Sequence, residues 1–277
     1  MITNTERLVG RPTSGIVRAS DPFKRFKPEV NQPVRQADIT GTELDRLRAR
    51  RDLLRSLDPN KAKTLIEVIQ PMSFFQAVAL AKREGKLIVP NYVYDRILTE
   101  TQDTFRHLMW TGTLVICKAP GKKFGKKVIS RFENKHEYKG ATHIITKYGD
   151  DDKQCSISFA VPEKFQGKAN CALVVEHPDF ELLQLGNNKY GMVVPDERKV
   201  HLLEGIARSG WHNYDERFRI PIGENVEDTK DTTVRYFWRI QNKDYICILV
   251  RNTNYGGHWQ YISAGRWPSD DLGLALF

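Results

Sequence analysis

The chain has 277 residues, of which 40% are hydrophobic and 28% are charged, and its formal net charge is +9. This length allows a full hydrophobic core in one large domain or two modest ones, and the composition excludes global disorder. The first residues lack the apolar core of a secretory signal, and no apolar run approaches the roughly 18 residues that a membrane span needs. We expect a protein with no membrane span that is cytoplasmic or associated with a virion.

The N-terminal part of the chain divides into an arm and a helical region. Residues 1–40 contain four prolines, scattered basic residues and no sustained apolar period, which predicts an extended basic arm. Residues 41–110 have leucines and other apolar residues at helical spacing, which predicts a mainly helical region. The expected helices begin at Thr42 as N-cap, span 61–69, run from Ser73 as N-cap to Gly85, and cover 92–109.

Residues 111–277 are expected to form a β-rich domain. Short β-branched and aromatic runs alternate there with Gly, Asn, Asp and Pro clusters, a pattern typical of an antiparallel meander. The predicted strands are 113–117, 128–132, 142–147, 156–161, 171–176, 180–185, 190–194, 234–240, 245–251 and 273–277, with one helix over 200–207. The predicted fold class is α+β, with a helical N-terminal part followed by a mixed, mainly antiparallel β domain.

One short pattern is typical of metal-dependent nucleases. Asp179 follows a proline, and Glu197 and Lys199 follow at the spacing of a PD-(D/E)xK site. In such a site two carboxylates hold a divalent ion and the lysine orients the attacking water. The alternative interpretation is that these are solvated turn residues, since Pro195 would interrupt the strand that carries Glu197 and Lys199.

A lysine-rich loop offers a second link to nucleic acid. Residues 121–127 read GKKFGKK, and they lack the serine or threonine of a phosphate-binding P-loop. Four lysines around Phe124 would suit a phosphate backbone with one stacked base, and the alternative is a solvated hairpin loop. The positive excess of the chain lies in residues 1–168. Any contact with nucleic acid is therefore expected from the basic N-terminal two-thirds.

Apart from the nuclease pattern, no residue pattern indicates a cofactor, a metal site or a catalytic nucleophile. The seven histidines have no zinc-binding spacing, and no nucleophile elbow is present. Cys117, Cys155, Cys171 and Cys247 are far apart among apolar neighbours, which indicates buried free thiols. We expect no cofactor and, outside the nuclease alternative, no enzyme activity.

The C-terminal segment 234–277 has the composition of a binding surface. Tyrosine and tryptophan provide rigid contact area, and asparagine, serine and glycine provide adaptable hydrogen bonds, as in antibody paratopes. The alternative for the tryptophans is a place in the core. The candidate ligand-binding residues are Asn252, Asn254, Tyr255, His258, Trp259, Gln260, Tyr261, Ser263, Arg266, Trp267, Ser269, Asp270 and Asp271.

Three motifs in this segment resemble a known family. They are Gly256-Gly257-His258-Trp259, Gly265-Arg266-Trp267-Pro268-Ser269 and the terminal Leu272-Gly273-Leu274-Ala275-Leu276. Together they resemble the C-terminus of the variable proteins of diversity-generating retroelements, over about 45 residues. Leu274 and Ala275 depart from the commoner ending of that family, in which Phe and Arg follow the glycine.

The resemblance implies a fold and a function. In that family a reverse transcriptase copies a template with errors at adenines, so the residues encoded by adenine-containing codons vary. A C-type lectin fold displays the resulting side chains to a ligand. The resemblance therefore implies that residues 111–277 form a C-type-lectin-like domain and that the candidate residues bind a protein or glycan as a receptor or attachment surface. A nucleic-acid-binding protein, with the PD-(D/E)xK nuclease as its catalytic form, is the competing hypothesis.

Overall fold

The computed structural model describes most of the chain after residue 40. The described residues are 41–69, 71–101, 108–133, 154–186, 189–207, 209–226, 234–238, 243–252, 261–264 and 272–277. They all belong to one unit, Ile39–Phe277. The predicted arm over 1–40 and the predicted strand over 142–147 lie outside the described residues.

Four helices occupy the first part of the described chain. They are α1 (Gly41–Ser56), α2 (Pro59–Thr64), α3 (Phe74–Glu84) and α4 (Asn91–Thr101). The local sequence explains the bounds of α3, because Ser73 and Gln76 form a reciprocal capping box and Gly85 ends the helix in the left-handed conformation at φ 58°. Both ends of α3 agree with the prediction from sequence.

Fourteen strands are present in the described residues. They are β1 (Glu67–Ile69), β2 (Met109–Cys117), β3 (Lys127–Glu133), β4 (Gln154–Ala160), β5 (Cys171–Glu176), β6 (Glu181–Gly186), β7 (Lys189–Val193), β8 (His201–Glu204), β9 (Gly210–Tyr214), β10 (Pro221–Ile222), β11 (Arg235–Trp238), β12 (Tyr245–Asn252), β13 (Tyr261–Ala264) and β14 (Gly273–Leu276). With the four helices they make the chain an α+β protein.

The strands form two mixed sheets. The large sheet has the order β1-β14-β2-β12-β13-β11-β9-β10. Strand β5 also belongs to it and pairs with β2 on one side and with β8 on the other. The small sheet has the order β3-β4-β7-β6. The pairs β2–β14, β11–β13 and β4–β7 are parallel, and the remaining strand pairs are antiparallel.

Strand β2 lies at the centre of the large sheet. All nine of its residues are buried, which explains why its sequence is apolar or small throughout rather than alternating. Leu114 and Ile116 face a core shared with α3 and the small sheet, whereas Val115 and Cys117 face a second core with β5, β11 and β12. The sheet is therefore covered on both faces along this strand.

Gly112 marks the point where β2 changes its neighbour from β14 to β5. Its N–H donates to Val89 O at 2.7 Å, and its carbonyl accepts from His177 N at 2.7 Å. A Cβ at this position would stand 2.3 Å from the carbonyl oxygen of Ile88. Only glycine allows the segment around Ile88 to approach the strand this closely.

Several sequence predictions need correction. The predicted helix over 200–207 is instead β8, because His201–Glu204 pairs with β5 across the sheet. The helix expected over 61–69 ends at Thr64, and Glu67–Ile69 is an edge strand paired with β14. The helix expected over 92–109 is described over Asn91–Thr101, and Met109 belongs to strand β2 instead. The three parallel strand pairs exclude a simple antiparallel meander.

Candidate functional site

The candidate ligand-binding residues fall into two groups. Asn252 lies at the end of β12, and Tyr261 and Ser263 lie on β13. The other ten lie outside the described residues: Asn254, Tyr255, His258, Trp259, Gln260, Arg266, Trp267, Ser269, Asp270 and Asp271. Nothing in the described residues tests which of them face a ligand.

The described residues on either side of these stretches are held by backbone hydrogen bonds. Asn252 is in register with Tyr261 across the β12–β13 pair, so residues 253–260 start and finish at one strand pair. Leu272 O accepts from Met72 N at 2.9 Å, and Gly273 N donates to Leu108 O at 2.8 Å. Ala264 ends β13 and Gly273 begins β14, so both stretches start and finish on strands of the large sheet.

A buried ionic cluster lies at the end of β12, next to Asn252. Asp95 of α4 accepts two hydrogen bonds of 2.7 Å from Arg235 of β11, and its Oδ1 is 3.1 Å from Arg251 Nη2 of β12. All three side chains are 0% exposed. Burial lowers the pKa of Arg251 to about 10, against the attraction of Asp95. The cluster joins α4 to the two strands that precede the candidate residues.

Aromatic contacts extend this cluster towards the surface. The guanidinium of Arg235 stands 4.4 Å from the centroid of the Tyr214 ring, and that of Arg219 stands 4.7 Å from it. Arg219 Nη1 also donates to the Tyr214 hydroxyl at 2.5 Å. Cation–π contacts of this kind are stronger when the cation is desolvated, so they compensate part of the cost of burying guanidinium groups.

The nuclease pattern is only partly brought together. Asp179 and Lys199 line the same cleft, but Glu197 lies on an exposed turn and is not among the residues that line it. Both oxygens of Asp179 accept from arginines, Oδ1 from Arg48 Nε at 2.7 Å and Oδ2 from Arg51 Nη1. Two guanidinium groups at this distance would repel a divalent ion. The geometry therefore does not favour a metal site at these three residues.

Other metal-binding arrangements are also not found in the part of the chain that the structure describes, where no group of three His, Cys, Asp or Glu side chains is placed to hold an ion. Cys117, Cys171 and Cys247 are buried thiols outside any disulfide, in agreement with the prediction for these three, whereas the Cys155 side chain lies outside the described set. Burial raises the pKa of Cys247 well above its ordinary value, with a further contribution from Cys117. Burial also raises the pKa of Cys171, so Cys171 and Cys247 are poor nucleophiles and ligands.

The lysine-rich loop differs from the prediction in one respect. Phe124 is 2% exposed and belongs to the core between the large and small sheets, so its ring is not available to stack on a base. The four lysines at 122, 123, 126 and 127 are exposed. Phe124 N donates to Lys168 O at 2.8 Å, which places this loop beside a second basic turn over 163–168.

The cleft beside Asp179 was missed by the sequence analysis. It is lined by Arg51, Asp52, Arg55, Glu176, Asp179, Lys199, His201, Arg217 and Phe218. A signal for it exists in α1, because Arg48, Arg51 and Arg55 share one helical face. The residues that complete it lie more than a hundred positions away, which no local pattern reveals.

The membrane and family comparisons add little to this description. None of the described helices is long and apolar enough to cross a membrane. No protein-family model matches the chain, no curated protein matches it in sequence, and no solved structure matches it.

Proposed function

We propose that this protein is a non-enzymatic receptor or attachment protein that binds a protein or glycan ligand through residues 252–271, on a C-type-lectin-like scaffold. The observation that carries the proposal is the fixing of both candidate stretches to the large sheet. Asn252 and Tyr261 face each other across β12 and β13, and Leu272 and Gly273 are hydrogen-bonded to Met72 and Leu108.

Fixed ends matter because binding by a loop costs conformational entropy. A stretch that starts and finishes on a rigid sheet loses less freedom when it contacts a ligand than one that hangs from an unpaired terminus. The neighbouring strand residues are deeply packed, since Val250, Ile262 and Leu274 are all within 2% of full burial. A scaffold of this kind tolerates changes of side chain between the strands without losing its fold.

The gene itself provides the first test. Under the retroelement interpretation, a near-copy of the 3′ end lies close to the gene and differs from it only at adenines, and related genes vary mainly in codons 252–271. Sequencing the flanking DNA and several isolates measures both features. Variation spread evenly over the β strands, with no such near-copy, would exclude diversification of this surface.

A binding experiment tests the ligand surface directly. The wild-type chain is screened on an array of immobilised glycans and against a displayed protein library, and the strongest reproducible binder is kept as the probe. Tyr255→Ala combined with Tyr261→Ala should weaken binding of that probe at least tenfold, about 1.4 kcal/mol, because aromatic anchors carry much of the energy of such surfaces.

Two controls accompany this experiment. Leu185→Ala removes an apolar side chain that is 62% exposed on β6, and it should leave probe binding unchanged. Circular dichroism and a thermal melt verify that the tyrosine double variant is folded. Equal losses in the tyrosine variant and the Leu185 variant would contradict a binding surface at residues 252–271.

Nucleic-acid binding is a second candidate, favoured by the basic surface around residues 121–127. Lys122, Lys123, Lys126 and Lys127 are exposed, and the paired turn adds exposed Lys164 and Lys168. Neutralising phosphates with several lysines makes affinity fall steeply with salt. An affinity for duplex DNA that decreases between low and moderate salt would support this candidate, if Lys122→Gln plus Lys126→Gln makes that decrease smaller. Binding that does not depend on salt would contradict it.

A further inference from the structure

The cleft between α1 and the turns that follow β5 and β9 is nearly all polar. Its walls come from four separated parts of the chain: Arg51 and Arg55 on α1, Glu176 and Asp179 after β5, Lys199 and His201 at β8, and Arg217 and Phe218 after β9. The space between them is about 100 Å³. Pockets for whole organic ligands are several times larger, so this cleft has room for one small ion or one terminal group.

The acidic groups of the cleft are already paired. Both oxygens of Glu176 accept from Arg55 Nη2, at 2.7 and 2.6 Å, and both oxygens of Asp179 accept from Arg48 and Arg51. The two carboxylates are 6% and 3% exposed, so they lie at the bottom of the cleft. Arg48, Arg51 and Arg55 therefore neutralise these two carboxylates, and Arg48 also pairs with Asp45 at 3.2 Å.

Two further cations lie in the cleft without a carboxylate partner. Within the described residues, no carboxylate pairs with the side chain of Lys199 or Arg217, whereas Arg217 Nη2 lies 3.2 Å from His201 Nε2. Asp52 also lines the cleft, but its side chain is 69% exposed and lies 3.4 Å from Arg51 Nε. The cationic side chains thus outnumber the acidic ones that could neutralise them.

The guanidinium groups are held in place before any ligand arrives. Arg55 stands 4.9 Å from the centroid of the Tyr92 ring and donates from Nη1 to Arg217 O, and Arg217 lies 4.9 Å from the centroid of the Phe218 ring. Arg55 Nε is buried and has no hydrogen-bond partner among the described residues. A buried donor of this kind costs free energy unless a ligand or water accepts from it.

His201 lies among the cationic side chains that line the cleft. Burial, Arg217 and Arg51 lower its pKa to about 4, although Asp179 acts in the opposite direction. The imidazole is therefore neutral at neutral pH and donates or accepts a hydrogen bond without adding charge.

We propose that this cleft binds a phosphate-type oxyanion, either the free ion or the terminal phosphate of a small monoester. A tetrahedral dianion offers oxygens in several directions, which suits donors that converge from Lys199, Arg217 and Arg55, whereas a planar carboxylate offers only two. The proposal concerns a different surface from residues 252–271 and does not depend on the proposed function.

The experiment uses the full chain with inorganic phosphate and methyl phosphate, titrated at constant ionic strength against chloride. Nuclear magnetic resonance of the histidine side chains follows binding at His201, and a thermal melt follows stabilisation by mass action. We expect a saturable shift at His201 and a rise in melting temperature with either phosphate. Tighter binding of methyl phosphate would identify a monoester as the preferred source, and equal or tighter binding of inorganic phosphate would identify the free ion.

A charge-matched pair of variants separates this site from general attraction. Lys199→Gln plus Arg217→Gln should weaken phosphate binding at least tenfold. Lys61→Gln plus Lys82→Gln, which removes the same charge at two exposed helix positions, should leave it unchanged. Because Lys199 and Arg217 pair with no described carboxylate, the cleft variant should keep its melting temperature in chloride, and the single variant Lys199→Gln serves if it does not. No saturable shift in tens of millimolar phosphate, or equal weakening in both double variants, would overturn the proposal.

A second readout uses sulfate, which keeps its double charge over the pH range of the measurement. Binding of a dianion beside Arg217, Arg51 and Lys199 should raise the pKa of His201 above about 4, because the anion offsets the cations that lower it. The Lys199→Gln plus Arg217→Gln variant should lose this sulfate-dependent change. An unchanged His201 titration in saturating sulfate would contradict binding in the cleft.

Discussion

Two ionic clusters connect the helices to the large sheet, and they differ in their access to water. Asp95, Arg235 and Arg251 are 0% exposed, and they join α4 to β11 and β12. Asp179 is also buried, but its partners Arg48 and Arg51 are 20% and 11% exposed at the edge of a cleft. The first cluster is a closed part of the scaffold, and the second presents its cations to a small solute.

The difference matters for what each cluster does for the protein. A fully buried ion pair adds little net stability over an apolar replacement, but breaking it by removing one partner is costly. A partly exposed cluster is cheaper to break because its charges regain water. The closed cluster therefore suits a role in holding the end of β12 in place, and the open one suits recognition of an ion.

The largest expected effect comes from Asp95→Ala, which leaves Arg235 and Arg251 buried without their shared carboxylate. We expect the free energy of unfolding to fall by about 3–5 kcal/mol, measured by urea denaturation. Asp45→Ala is the control, since that side chain is 74% exposed in its pair with Arg48, and it should change stability by less than about 0.5 kcal/mol. A loss below about 1 kcal/mol for Asp95→Ala would show that the closed cluster is not held by this carboxylate.

The sequence predicted the regular elements better than their long-range partners. Strand β5 was predicted with its observed bounds, because Cys171–Val175 is an uninterrupted apolar run followed by the polar Glu176 and His177 and by Pro178. The sequence over 201–204 fits either a helix or a strand, and only its pairing with β5 makes it β8. Local signals decided the first case, and tertiary structure decided the second.

Neither ionic cluster was predicted, for a related reason. Asp95 lies in a helix with the charged residues that any solvated helix has, and its partner Arg235 is 140 positions away. Arg48, Arg51 and Arg55 have the spacing of any charged helix face, whereas their partners at 176 and 179 are buried after β5. Pairing across such distances depends on the topology of the sheet, which a single sequence does not reveal.

A pH titration extends the comparison to His177, which lies between Glu176 and Asp179 in the sequence. Burial lowers the pKa of His177 to about 3, with a smaller effect of Arg51 and an opposing one of Asp179, and its Nδ1 accepts from Ile88 N at 3.1 Å. The unfolded chain, with a pKa near 6.5, binds more protons than the folded chain between these values. The free energy of unfolding should therefore fall as the pH decreases from about 6.5 towards 3, by up to roughly 4 kcal/mol.

Two variants assign this pH dependence. His177→Asn keeps an acceptor oxygen for Ile88 N but does not titrate, so urea denaturation at several pH values should show a smaller decrease in stability below pH 6.5. His201→Asn should reduce the decrease less, because His201 is only half buried and its pKa is lowered only to about 4. An unchanged slope in His177→Asn would show that this imidazole is protonated in the folded protein.

A smaller effect is expected for Asp179→Ala, which removes the acceptor of Arg48 and Arg51. Both guanidinium groups lie close to water, so we expect a loss of about 2 kcal/mol, less than for Asp95→Ala measured in the same way. The variant should also change phosphate binding, because freed arginines make the cleft more positive. A loss equal to or greater than that of Asp95→Ala would show that the exposure of the arginine partners does not determine the loss in free energy of unfolding.

The smallest effect is expected where both partners of an ion pair have access to water. Arg96 pairs with Glu100 one helical turn later, and the Glu100 side chain is 46% exposed. Glu100→Gln should lower the free energy of unfolding by about 0.3–0.5 kcal/mol at low salt and by less at high salt. Arg96→Gln should cost more, because Arg96 Nη1 also donates to the carbonyls of Arg55 and Leu57 near the end of α1. Equal losses of stability in the two variants would mean that Arg96 stabilises the protein through Glu100 and not through these carbonyls.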